Sequence, residues 1–147
     1  MYGHGLHGHA YGQRESLFGG MAPAAKKDAP STERIDRLLK AYLSRTHRDH
    51  PEEGCPLPSI VSEIARAEPE ERDAFVRELD VHLRAIEEVT PKIEPLSKRA
   101  IALGLLSLLY GGLSLARATQ GTPLSDEILR SSRAFARAAC GIAQSSR

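Results

Sequence analysis

From Lys98 to Thr119 the chain reads KRAIALGLLSLLYGGLSLARAT, with no charged side chain between Ala100 and Ala116. At 100° per residue, Ala100, Gly104, Ser107, Gly111, Ser114 and Ala118 fall on one stripe, and leucines cover the rest. A helix that is apolar nearly all round has to be buried on all sides, and a stripe of small residues lets a second backbone come close. A chain of 147 residues has few other helices with which to surround it. A second copy of the chain is therefore expected to supply the missing wall.

The same periodicity predicts four further helices. Ile35, Leu38, Leu39, Tyr42 and Leu43 make one apolar face of a helix from about Thr32 to Thr46, with Ser31 or Thr32 as its cap. A short helix from about Pro58 to Ala67 turns Ile60, Val61 and Ile64 inward. Pro69 opens a long one whose acidic first turn, Glu70 and Glu71, suits the helix dipole. Phe75, Leu79, His82, Ile86 and Val89 share its inner face, and Pro91 and Pro95 end it. The central helix then runs from about Leu96 to Thr119. The last starts near Leu124, with Leu124, Ile128, Phe135, Ala139 and Ile142 on one side and Arg130, Arg133 and Arg137 on the other. No strand alternation interrupts this pattern. The expected fold is an all-α bundle of about five helices over residues 31–147, preceded by a flexible segment, residues 1–30, rich in glycine, histidine and proline.

Composition narrows the picture by exclusion. Only 5% of residues are aromatic and none is Trp, which argues against a carbohydrate-binding or base-stacking surface. A net charge of +1 gives no electrostatic case for nucleic acid. Cys55 and Cys140 stand far apart with no secretory signal ahead of them, so reduced thiols in a cytoplasmic protein are expected. The apolar run falls just short of the roughly 18 to 20 residues that span a bilayer, and its glycines and serines weaken it further. It reads as a core helix, with no membrane partner.

Candidate chemistry is sparse. The loop from His47 to Cys55 carries two imidazoles, three carboxylates and a thiol. A zinc site would use His47, His50 and Cys55, yet four ligands are usual and no matching pair stands nearby, so no metal is assigned. Cys55, just ahead of the Pro58 helix, is a candidate redox sensor because a helix N-terminus favours thiolate; a packed structural thiol is the plainer reading. His4, His7 and His9 among glycines receive no function. His82 is the one ionisable group on its helix's apolar stripe, and Tyr110 places a hydroxyl beside leucines. Each can be a hydrogen-bonded core residue, and together they can be the few polar groups of an apolar pocket. With no nucleophile motif, phosphate loop or paired carboxylates, neither enzyme activity nor a cofactor is expected.

Three phrases, AYLSRTHRDHPEEGCPLPSIVSEIAR, LLSLLYGGLSLARAT and LSDEILRSSRAFA, resemble the C-terminal effector-binding and dimerisation domain of TetR-family transcriptional regulators, over about Ser31 to Gln144. The resemblance implies a ligand-responsive repressor that senses a small molecule in a pocket lined here by Leu39, Tyr42, Phe75, Leu79, His82, Leu106 and Tyr110. It also implies a homodimer through a four-helix interface, mapped here onto Gly104, Ser107, Gly111, Ser114, Ile128, Ser131, Phe135 and Ala139. Tyr11 to Phe18 is similar to the junction of recognition and connecting helices, but the family carries two helices and most of a third ahead of that point. A helix in the major groove needs a supporting helix packed across it, so residues 1–30 are expected to be a remnant of the helix-turn-helix that binds no operator specifically. A stand-alone module that heterodimerises with a full-length regulator is the alternative from another class. A small membrane-associated protein is the third.

Overall fold

The computed structural model of the protein describes residues 28–54 and 56–143. Among them are six α-helices: α1 (Ser31–Tyr42), α2 (Arg45–Asp49), α3 (Leu57–Ile64), α4 (Pro69–Val89), α5 (Lys98–Ala118) and α6 (Pro123–Ala139), with a 3-10 turn at Pro51–Glu53. No strand occurs among the described residues, only an isolated bridge between Ile93 and Leu96. The all-α expectation holds, and the five helices of eight residues or more are the five that the periodicity predicts. Cys55, the three N-terminal histidines and the Tyr11 to Phe18 segment lie outside the described residues.

The expected helix from Thr32 to Thr46 is in fact two. The chain leaves helical geometry at Leu43, and Ser44, in extended conformation, accepts a hydrogen bond from the His47 amide at 3.1 Å to start α2. A serine hydroxyl that can cap locally competes with continuing the helix, and here the cap wins. At the other end, Ser31 is the first helical residue rather than the cap. Pro30 holds the cap position, and its carbonyl accepts from the Glu33 and Arg34 amides. By contrast, α5 starts as capping rules lead one to expect, the Ser97 hydroxyl accepting from the Ala100 amide at 3.1 Å.

Helix α5 runs through the middle of the bundle and touches α1, α2, α3, α4 and α6. Its inner face (Ile101, Ala102, Leu105, Leu106, Leu109, Tyr110, Leu113, Ala116) is buried. It packs with Ile35, Leu38, Leu39, Tyr42 and Leu43 before it, Leu83 and Ile86 of α4, and Leu129, Ala136 and Cys140 at the C-terminus. Burial of that apolar area is the main term that holds the helices together. Arg37–Glu33, Lys40–Asp36 and Arg84–Asp80 are i,i+4 pairs with solvent-exposed basic partners that add little. A less exposed ion pair, Arg137 to Asp36, ties α6 to α1.

The described residues do not bury α5 on all sides. Leu103, Gly104, Ser107, Gly111 and Leu115 are exposed, because the described helices cover the opposite side. Length and composition alone would let α5 cross a membrane, with a mean hydropathy of 1.5, and half of that window is buried inside the bundle. Helix α6 meets the body through a side that the sequence pattern does not single out. Ser125, Leu129 and Ala136 are buried, and Arg133 reaches inward to donate to the Leu43 carbonyl. Leu124 and Phe135 face solvent. On α3, Val61 is exposed rather than inward, while Leu57 and Ile64 are buried.

Candidate functional site

Two polar arrangements are set into this bundle, and they meet at His47 of α2. The first is buried. His82 of α4 is 1% exposed and Tyr110 of α5 is 8% exposed. His82 Nδ1 and the Tyr110 hydroxyl lie 2.6 Å apart and share a hydrogen bond. The Tyr110 ring stacks on that of Tyr42, with centroids 6.2 Å apart and planes 15° apart. Tyr42 in turn meets the His47 ring edge-on at 4.6 Å and 81°. Four rings from α4, α5, α1 and α2 thus form one connected series through the core. A buried hydroxyl or imidazole without a partner costs about 1 to 3 kcal/mol, so the His82–Tyr110 bond fixes how α4 sits on α5.

The second arrangement clamps α2. Asp126, in the first turn of α6, accepts from Arg45 at 2.6 and 3.1 Å and from Arg48 at 2.8 Å. Arg48 also donates to Ser125 Oγ at 3.0 Å, and that hydroxyl donates to the Ala116 carbonyl at 2.6 Å. Hydrogen bonds from Arg45, then from Arg48, hold the Asp126 carboxyl below the usual carboxylate range. Gln120 donates to Asp49 at 2.9 Å. Arg117 of α5 covers the C-terminal end of α2, donating to the His47 carbonyl at 2.8 Å and the Arg48 carbonyl at 3.3 Å. A cation there suits the negative end of a helix.

His47 belongs to both arrangements. It is the one buried side chain of α2, and its Nδ1–H donates to the Tyr42 carbonyl at 2.7 Å. Burial pushes its pKa down, the Tyr42 carbonyl opposes this, and Arg117 adds to the depression, so the ring is neutral at pH 7. The packing there is close. A Cβ on Gly54 would stand 2.3 Å from His47 Nε2, which no side chain tolerates.

The residues expected from sequence to line a pocket lie in or against the core. Leu39, Tyr42, Leu106 and Tyr110 belong to one buried cluster, Phe75 and Leu79 pack half-buried against it, and His82 joins through Tyr110. The surroundings are apolar, with the polar edge confined to the His82–Tyr110 contact and its neighbours. The interface residues divide. Gly104 and Gly111 have nothing within 4 Å of an added Cβ, and Ser107, Ser131, Phe135 and Ala139 are exposed, with Ile128 half-buried. Ser114 differs from expectation, being half-buried and donating to the Pro58 carbonyl of α3 at 3.4 Å. The close approach of α5 and α6 within the chain is at Gly112, where a Cβ would meet Ser132 Oγ at 2.9 Å and Leu43 at 3.2 Å.

The donor atoms that lie near one another are not those weighed for zinc. His47 Nδ1 is committed to a carbonyl, and it is His50, Glu52 and Glu53 that bring donor atoms within 4.8 Å of one another, all of them exposed. His50 Nδ1 lies 3.4 Å from Glu52, the ordinary state of a solvated acidic turn. Cys140 is buried, and burial pushes its thiol pKa up, which makes it a packing residue rather than a nucleophile. Sequence reasoning missed the α2 clamp. Asp126 lies in the first turn of α6, where an acidic residue suits the helix dipole, but nothing local shows that Arg45 and Arg48 would reach it. No protein-family model matches the chain, and no curated protein matches it.

Proposed function

We propose that the chain is the ligand-sensing and dimerisation part of a TetR-like, ligand-responsive transcriptional regulator that works as a homodimer in the cytoplasm. The observation that carries this reading is the apolar side left open on α5 and α6. Leu103, Leu115, Leu124 and Phe135 are 44%, 58%, 50% and 70% exposed, and open glycines at positions 104 and 111 leave room for another backbone. Apolar surface gathered in this way is characteristic of an association face, and a two-fold arrangement would let the same two helices pair with themselves. Repression would require a helix-turn-helix outside the described residues, so operator binding is not assigned to these helices.

The sensor part of the proposal rests on the His82–Tyr110 pair and its apolar surroundings. An effector with an apolar body and one hydrogen-bonding group would pack against Leu39, Phe75, Leu79 and Leu106 and exchange its polar atom for one partner of that bond. Desolvated sites of this kind take orientation from few polar contacts. Sedimentation equilibrium at micromolar concentration tests the dimer, and a monomer there would sink it. Native mass spectrometry of protein purified from cells tests the sensor. A retained compound of defined mass, lost in His82→Leu, is expected; a compound retained equally by both would place it elsewhere. A monomer that becomes a heterodimer on mixing with a full-length relative would favour the stand-alone module instead.

A further inference from the structure

We propose that His82, Tyr110, Tyr42 and His47 form a mechanical relay that sets how α2 docks on α6, so that a change at the His82–Tyr110 contact is felt at the Arg48–Asp126 contact. The natural trigger, an effector at His82–Tyr110, rests on the sensor reading above; the relay itself rests on geometry alone.

The movable element is α2. A five-residue helix is far too short to hold its own shape in water, so its place is set from outside. Polar bonds hold its ends: the Ser44 cap at the start, Arg117 on the His47 and Arg48 carbonyls at the finish, and Arg45 and Arg48 on Asp126. Its only buried anchor is the His47 ring. That ring is confined on both sides, by the Tyr42 ring at 4.6 Å and by the Gly54 backbone, which leaves no room for even a methyl group. A shift of Tyr42 therefore cannot be absorbed at His47 and has to move α2.

Tyr42 itself is fully buried, and its ring lies parallel to that of Tyr110. Tyr110 is held in turn by the 2.6 Å bond to His82. Close-packed interiors transmit displacement because they have no voids to take it up. The far end of the relay is the first turn of α6, the helix that carries exposed Leu124 and Phe135. The relay thus joins the buried polar pair to the element that bears the open apolar side. Its two states are α2 docked, with Arg48 on Asp126 and Ser125, and α2 released.

Hydrogen exchange of the purified chain tests this without an effector, so its result is separate from that of the sensor reading. Tyr110→Phe removes the hydroxyl and keeps the ring. The Arg48 and His50 amides, bonded to the Ser44 and Thr46 carbonyls, should then exchange at least about tenfold faster, the scale of one lost buried hydrogen bond. The Cys140 amide, bonded to the Ala136 carbonyl at the opposite end of α6 from Asp126, should stay within about twofold. No change at Arg48, or an equal acceleration at Cys140, would overturn the relay. The second variant, Gly54→Ala, pushes on His47 from the other side. Combined with Tyr110→Phe, it should change the unfolding equilibrium constant by a factor at least about fivefold away from the product of the single effects. Independent sites multiply to within about twofold, and that outcome would also overturn it. Should Gly54→Ala not fold, Arg48→Gln takes its place in the cycle with the same two outcomes.

Discussion

Positions 111 and 112 are adjacent glycines with opposite surroundings, and that contrast separates the fold from the proposed dimer. A Cβ at Gly112 would lie 2.9 Å from Ser132 Oγ, 3.3 Å from Ser132 Cβ and 3.2 Å from Leu43. A Cβ at Gly111 would meet nothing within 4 Å. Glycine to alanine inside a helix gains about 1 kcal/mol in propensity. Gly111→Ala should therefore stabilise the isolated chain by about that amount. Gly112→Ala has the same gain set against overpacking of about 1 to 3 kcal/mol, for a net effect between about zero and 2 kcal/mol destabilising. Urea unfolding of a dilute, monomeric sample measures both, and a Gly112→Ala protein more stable than Gly111→Ala would refute this assignment of the two faces.

The dimer test uses the larger side chain. On the proposed two-fold face, Gly111→Leu places a leucine where two backbones approach, once on each subunit. Overpacking of about 1 to 3 kcal/mol per copy gives about 2 to 6 kcal/mol for the pair. That corresponds to a dissociation constant weaker by between about 30-fold and about 20,000-fold. The chain's own fold should be unharmed, since the site is open. Sedimentation equilibrium over a concentration series reads the first effect, and circular dichroism at low concentration reads the second. A Gly111→Leu protein that dimerises as tightly as the parent would show that the stripe faces something other than a second copy.

Other outcomes follow from the same geometry. Leu109→Ala, at a position with 0% exposure, should cost about 2 to 5 kcal/mol, whereas Phe135→Ser, at 70% exposure, should change the unfolding of the monomer by no more than about 0.5 kcal/mol while weakening any dimer. Because burial lowers the His47 pKa, the unfolded chain binds the proton more readily. The His47 contribution is thus complete above its unfolded pKa of about 6.5 and is lost as pH falls from there towards the folded value. Thermal midpoints between pH 7.5 and 5 should fall for the parent and fall less for His47→Gln; equal slopes would disprove the assignment. Asp126 and Asp49 have pKa values lowered by their arginine partners, so their contribution holds above the unfolded carboxylate range and is lost at lower pH, as pH falls through the folded values. Asp126→Asn should lower the thermal midpoint at pH 7 and flatten its decline in that acid range.

What could be read from the sequence depended on how local the cause was. Helix α4 begins at Pro69 and ends at Val89 because the proline and the acidic turn that start it lie within a few residues of each other, and the inner face of Phe75, Leu79, His82 and Ile86 follows from a period of 3.6. The pairing of His82 with Tyr110, 28 positions apart, was suggested only by each being a polar group among apolar ones. Other features have causes that periodicity does not carry. The break at Leu43 and Ser44 turns on a capping hydroxyl that competes locally with continuing the helix. The fate of α6 is subtler, since two of its large apolar residues, Leu124 and Phe135, are turned outward while Ile128 is half-buried against the core. The inward side is built from Ser125, Leu129, Ser132 and Ala136, small enough to let α6 come close to Gly112 of α5, with Arg133 and Arg137 anchored on a carbonyl and a carboxylate at its edges. Leu124 and Phe135 are thus apolar side chains that the core of one chain does not use. That is why the outward side of α6, more than the polar pair in the core, carries the case for a partner.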